Sequence, residues 1–395
     1  MMRMPTWVFT LLVAIFVLYT DDYVIAGILP ELAVELHVTE GHAGQLVTVF
    51  SLTFALAAPI AAVVFANMSR RKLFTIALLA FIASNITATT TNSFVALTAL
   101  RAIAALAAAT ITPALFAFTT QHAPAHQVGR YTAMVSLGVT GSIAAGVPLG
   151  TWIGGVLGWR ATFATMAFAG TVTLLLVRTT LPRPEGNQKV PQLVEQLRVL
   201  RKAPISLGLL ANCLLMTGSM MMLTYLSPYL VSTAEVGVEE RAIAFSLSGI
   251  AGIVGIWLGG IATDRLGSDS TLLIGVGTIM GTMLVLWVFW ITRPSPLPAV
   301  LGVVTLWGGM AFWNSPAIQT RLHQLAGPVS GHALAINTSG TYLGVSMGAA
   351  AGGAVLTHGG PGLLPLTAAG FATAALILLL VAPSRTREVT TIDYP

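Results

Sequence analysis

The sequence predicts an all-α polytopic membrane protein, and three observations predict it. Of its 395 residues, 55% are hydrophobic and only 8% are charged, against about 25% charged in an ordinary soluble domain. Too few polar side chains remain to cover a water-facing surface, so lipid is the solvent for most of the chain. Apolar stretches of about 20 residues, the length at which a helix spans a bilayer, recur twelve times. Basic residues collect in alternate connections between those stretches.

The spans run at 6–29, 43–66, 73–91, 94–120, 131–157, 161–181, 204–231, 240–262, 271–292, 297–320, 329–356 and 361–382. Short loops join most of them, so neighbours run antiparallel. Of the 19 Lys and Arg, only Arg160, Arg241 and Arg293 fall on one side, and Arg101 lies inside a span. The remainder share the side of both termini, which the positive-inside rule places in the cytoplasm. The net charge of +5 therefore reflects loop bias and not a nucleic-acid patch.

The longest polar stretch, Pro182 to Ala203, separates six spans from six. The expected units are an N-terminal six-helix bundle at 1–181, a linker at 182–203 and a C-terminal bundle at 204–395. In the linker, Val194, Leu197 and Leu200 beside basic residues predict a short amphipathic helix on the anionic inner leaflet. Gly146-Val-Pro-Leu-Gly150 in span 5 resembles Gly344-Val-Ser-Met-Gly348 in span 11. Matching positions in each half are the pattern of a duplicated unit.

Asp21 and Asp22 sit inside the first span, and no other span holds an acid well inside it. A carboxylate at that depth costs at least ~2.5–3.5 kcal/mol on insertion scales, so it is expected to face water or a partner. The pair marks where protons could be handled. It also interrupts the region where a signal peptide would be cleaved, so the first span is expected to stay. A single cysteine, Cys213, excludes disulfide frameworks and cysteine metal clusters. The seven histidines have no metal-ligand spacing, and no nucleophile triad or phosphate loop is legible. Neither an enzyme nor a cofactor is expected, and a chain without an ATP signature must draw on a gradient.

Several segments together resemble the major facilitator superfamily, and within it the twelve-helix drug:proton antiporters of the sugar-efflux, arabinose-efflux and chloramphenicol-resistance branch. They are Thr20-Asp-Asp22 through Gly27-Ile-Leu-Pro30, Gly158-Trp-Arg-Ala-Thr-Phe163, Thr224-Tyr-Leu-Ser-Pro228, Trp307-Gly and Gln319-Thr-Arg321. The loop motif G-x-x-x-D-R-x-G is complete at Gly260 to Gly267, with Asp264 and Arg265. Its first copy departs, with Asn67 for the Asp and Val63 for the Gly, and keeps Arg70, Arg71 and Lys72. The resemblance implies a major facilitator fold whose two bundles rock about a central site. It implies a conformational role for Asn67, Arg71, Asp264 and Arg265, and for Gly146, Pro148 and Gly150 of span 5.

Asp22 falls on the membrane acid of that branch. Counting along the helices puts Asp22 and Arg101 each about seven residues, roughly 10 Å, from the outer surface. Arg101 also stands in the branch's helix-4 pattern, Leu97-Thr-Ala-Leu-Arg101. Asp22 is thus expected to be the protonation site with Arg101 tuning it, the alternative being a static ion pair. Asp21 points about 100° away and is expected to meet another helix or headgroup water. By family analogy helices 1, 4, 7 and 10 line the cavity. Candidate lining residues are Tyr19, Asp22, Thr110, Asn212, Met216, Met220, Tyr225, Trp313, Asn314 and Gln319, while Asn337 is expected to bond a neighbouring helix, the alternative being to bind substrate.

The expected function is proton-coupled efflux of a small organic molecule, drug-like or sugar-like. The expected setting is a bacterial inner membrane, with the protein a monomer in the bilayer. The rival readings are a uniporter or importer of a sugar or nucleoside, and a transport-inactive sensor.

Overall fold

The computed structural model describes residues 4–182 and 197–381, and those residues are helical with no strand among them. Twelve long rods follow one another: α1 Thr6–Glu35, α2 Glu40–Val64, α3 Arg70–Ala88, α4 Phe94–His122, α5 Val128–Leu157, α6 Trp159–Thr180, α7 Ala203–Thr224, α8 Val238–Leu266, α9 Ser268–Ile291, α10 Leu297–Ala326, α11 Ser330–Gly359 and α12 Leu363–Val381. Eleven are both long and apolar enough to cross a membrane. The exception, α11, is 30 residues long but rich in Gly, Ser and Thr.

Two sequence expectations change here. Span 7 is not one helix: α7 ends at Thr224, Tyr225 leaves helical geometry, and a nine-residue helix resumes at Leu226–Ala234. The amphipathic linker helix falls mainly outside the described residues. Only its end is visible, where Val199–Arg201 form a 3-10 turn with Val199 buried.

In the first bundle, α1 packs on α5 and α6, α2 on α4, and α3 on both α4 and α6. In the second, α7 packs on α11 and α12, α8 on α10, and α9 on α10 and α12. The bundles meet along α2–α11 and α5–α8. The repeated glycine segments have equivalent duties. Gly146 and Gly150 let α5 close on Thr20 and Val24 of α1, and Gly344 and Gly348 let α11 close on the α7 backbone at Cys213 and Thr217. Small residues permit such approach where lipid gives helices little other reason to associate.

Pro148 lacks the N–H that would bond the carbonyl of Ala144 and crowds that carbonyl. The helix answers with a π turn at Ser142–Gly146 directly before it, a local widening often found where helices are perturbed. The outer faces carry Leu56 and Ile60 of α2, Trp257 of α8 and Leu380 of α12, all exposed. Such an apolar exterior suits lipid contact.

Candidate functional site

A cavity of about 480 Å³ lies between the bundles. Tyr19 and Tyr23 of α1, and Ser136, Val139 and Thr140 of α5, form one wall. The other comes from Asn212, Met216 and Met220 of α7, Ile256 of α8, Phe312, Ser315 and Gln319 of α10, and Asn337, Thr338, Thr341 and Tyr342 of α11. The α5 and α11 residues lie in the first halves of their helices and the α10 residues in the second half of theirs. The cavity therefore reaches toward the end of the molecule where the described chain starts and finishes.

The opposite end is closed by contacts between the bundles. Ser227 Oγ donates to the Ala26 carbonyl at 2.8 Å. The Arg241 guanidinium at the start of α8 reaches the Gly27 carbonyl at 3.3 Å and forms an ion pair with Glu31 of α1. Gly41 of α2 meets Gly353 of α11, and Gly44 meets the Tyr225 ring, with no room for a Cβ at either. Nearby, Arg160 pairs with Glu35 inside the first bundle. The structure is closed at this end and hollow toward the other.

Of the expected lining residues, Tyr19, Asn212, Met216, Met220 and Gln319 line the cavity. The others do not. Tyr225 is fully buried at the break after α7, its hydroxyl donating to the Ala349 carbonyl at 2.7 Å. Trp313 turns toward α9, its indole N–H donating to the Thr271 carbonyl at 3.0 Å. Asn314 is buried beside Gly275 of α9 and bonds the Met310 carbonyl at 3.1 Å. Thr110 bonds the Leu106 carbonyl of its own helix. No α4 residue lines the cavity, whereas α5, α8 and α11 do. Pro316 lies inside α10 and lines the cavity together with Phe312, Ser315 and Gln319.

The polar wall is a cross-helix network. The Asn212 side-chain amide donates to Asn337 Oδ1 at 2.9 Å and to Thr341 Oγ1 at 3.0 Å. This is the helix-to-helix bond expected of Asn337, made at the cavity surface. Among the described residues, none that lines the cavity carries a formal charge at neutral pH.

The acid pair is arranged differently from the expectation. Arg101 Nη1 donates to Asp21 Oδ2 at 2.6 Å, with both side chains buried, so the arginine's partner is Asp21 and not Asp22. Depth counting set the layer correctly but could not set the azimuth, and the 100° between adjacent residues turns Asp21 toward α4. The Arg101 guanidinium also lies over the Phe50 ring of α2, 4.4 Å from its centre. Asp22 is equally buried, yet neither carboxylate oxygen has a hydrogen bond of ordinary geometry among the described residues. It does not line the cavity. Tyr342 reaches its carboxyl, and Tyr19, Tyr23 and Tyr342 line the cavity.

The loop residues lie at the hollow end. Asn67 is exposed, and Arg71 donates to the Arg178 carbonyl, tying the start of α3 to the end of α6. Asp264 and Arg265 are exposed. The ion pair of that region joins Asp269 to Arg321 at 3.3 Å, and Arg321 also bonds the Leu379 carbonyl of α12. Sequence reasoning missed Tyr342, Thr341 and Tyr23. A signal was present: Asn337, Thr338, Thr341 and Tyr342 recur at helical spacing and form one polar face in a span of small residues.

Residues 11–331 match the Major Facilitator Superfamily. An uncharacterized MFS-type transporter, YbcL of Bacillus subtilis, is 32% identical over 88% of each chain. The chloramphenicol resistance protein of Streptomyces lividans is 30% identical over 97% of each. Among solved structures, a D-xylose-proton symporter superposes with a TM-score of 0.79 at 15% identity, covering 97% of this chain and 98% of that one.

Proposed function

The chain belongs to the Major Facilitator Superfamily, and from that premise we propose that it exports small uncharged organic molecules in exchange for protons by alternating access. The observation that carries the coupling is Asp22, a buried carboxyl with no ion-pair partner of its own among the described residues, beside an already neutralised Asp21–Arg101 pair. A carboxylate left unpaired at that depth is costly, so binding a proton there relieves the cost. With Asp21 holding the arginine, Asp22 is the acid free to load and unload.

The cavity supports the substrate class. Tyrosine, methionine and phenylalanine offer apolar area, while Asn212, Asn337, Thr341 and Gln319 offer donors and acceptors. A wall without formal charge favours a neutral solute bearing hydroxyl or amide groups, since an ion would lose its hydration without a counter-charge. The relative that confers chloramphenicol resistance supports export and a phenicol as first probe.

In the cycle, the substrate enters the hollow end from the cytoplasm, where both termini lie. The bundles rock, the Arg241–Glu31 end opens, and the substrate leaves as a proton arrives at Asp22. The return movement carries that proton back, and binding of the next substrate at the hollow end releases it to the cytoplasm. The test is efflux from everted vesicles energised by a pH gradient, comparing a phenicol with a lipophilic cation. Phenicol accumulation that collapses with the gradient is expected. Accumulation of the cation alone, or phenicol flux indifferent to the gradient, contradicts the reading.

A further inference from the structure

Tyr342 belongs to the second bundle, yet it covers an acid of the first. Its ring stacks on Phe54 of α2, centroids 3.7 Å apart and planes 16° from parallel. It meets Tyr19 edge-on at 6.3 Å, and Tyr19 meets Tyr23 at 5.9 Å. Beside Tyr342 lies Asp22, 1% exposed. The charged and titratable groups around that carboxyl are Asp21, Tyr19 and Tyr23 on α1, Arg101 on α4 and Tyr342 on α11. All but Tyr342 are fixed within the first bundle.

We infer that Tyr342 is a positioning residue that gates proton access to Asp22, its ring closing the path between the acid and the cavity in the conformation hollow toward the chain ends. Within each bundle the helices are tightly packed, so movement between conformations falls at the α2–α11 and α5–α8 contacts. The Tyr342–Phe54 stack is one of those contacts. Rocking therefore changes what covers Asp22 without rearranging the Asp21–Arg101 pair. Such a cover prevents the acid from leaking protons into the cavity while the carrier waits for substrate. This rests on Asp22 as the proton site.

The test measures access without requiring transport. In a Cys213→Ser background the protein has no other thiol, and Asp22→Cys reports the position through its reaction rate with a small membrane-impermeant thiol reagent added at the hollow end. The reaction is slow with Tyr342 in place and within about twofold of that for Tyr342→Phe, which keeps the ring. It rises by about tenfold or more for Tyr342→Ala, because reaction follows the uncovered fraction. Phe54→Ala removes the stacking partner and gives a smaller rise, which keeps the test decisive if Tyr342→Ala fails to fold. Equal rates for tyrosine, phenylalanine and alanine at 342 overturn the gate. In protein with Asp22 intact, Tyr342→Ala is expected to leak protons without substrate, and Asp22→Asn to stop the leak. A leak unchanged by Asp22→Asn, with the labelling result intact, faults the proton site and not the cover.

Discussion

The two bundles are built alike and equipped differently. The first carries the charge: Asp21, Asp22 and Arg101, all buried. The second offers neutral amides and hydroxyls, Asn212, Asn337 and Thr341, bonded across α7 and α11. Both use glycine to bring their fifth helix against their first, so the scaffold is shared and the chemistry is divided. The difference separates the buried charges, held in the first bundle, from the amide network on the second bundle's side of the cavity, and under the proposed function it would assign proton coupling to the first. Tyr342 of the second bundle stacks on Phe54 of the first.

The largest effect expected from breaking that division is at Asp22. Asp22→Asn should abolish gradient-driven accumulation while leaving substrate exchange between equilibrated compartments intact, measured as counterflow in proteoliposomes. Loss of counterflow as well would put Asp22 in the solute site and erase the division.

Next comes Arg101→Ala. It strands a buried carboxylate, a change that costs about 3–5 kcal/mol when one partner of a buried pair is removed. The variant should show a clearly lower unfolding temperature in detergent, and Asp21→Asn introduced with it should restore much of the loss. If Asp21→Asn gives no recovery, the 2.6 Å bond is not what holds α1 to α4.

A smaller effect belongs to the second bundle. Asn337→Ala removes one acceptor of the Asn212 amide, and a neutral hydrogen bond is worth about 0.5–1.5 kcal/mol. Substrate affinity should fall by up to about tenfold with the proton dependence unchanged, read by binding titrations at several pH values. A changed proton dependence would show that the halves are not separable.

The smallest effect is at the closed end. Glu31→Gln removes the Arg241 ion pair, whose carboxylate is 24% exposed, and partly exposed pairs contribute about 1 kcal/mol or less. The variant should shift the population modestly toward opening at that end, seen as spin-label distances across α1 and α8. An unchanged distribution would leave closure to the backbone contacts of Ala26, Gly41 and Gly353.

Fold and depth were legible in the sequence because they follow from local composition. A span needs only about 20 apolar residues, and the aspartate pair is conspicuous against hydrocarbon. Azimuth was not legible. Whether Asp21 or Asp22 faces Arg101 depends on how α1 rotates against α4, and neighbouring side chains set that rotation collectively. The same limit explains Trp313 and Asn314. They sit beside the proline of α10, where a bent helix suggested a cavity face, yet their side of the helix meets α9. The break at Tyr225 was hidden because apolar residues continue through it. Tyr342 was overlooked for another reason: family analogy directed attention to helices 1, 4, 7 and 10, away from the polar face of α11.

The most direct measurement is proton release on substrate binding. Purified protein in weakly buffered detergent solution is mixed with a saturating phenicol at a pH where Asp22 is protonated, and the pH change is recorded with an indicator dye. The wild type should release protons on binding and Asp22→Asn should release none, both binding the ligand. Equal release from the two proteins would contradict Asp22 as the site of coupling.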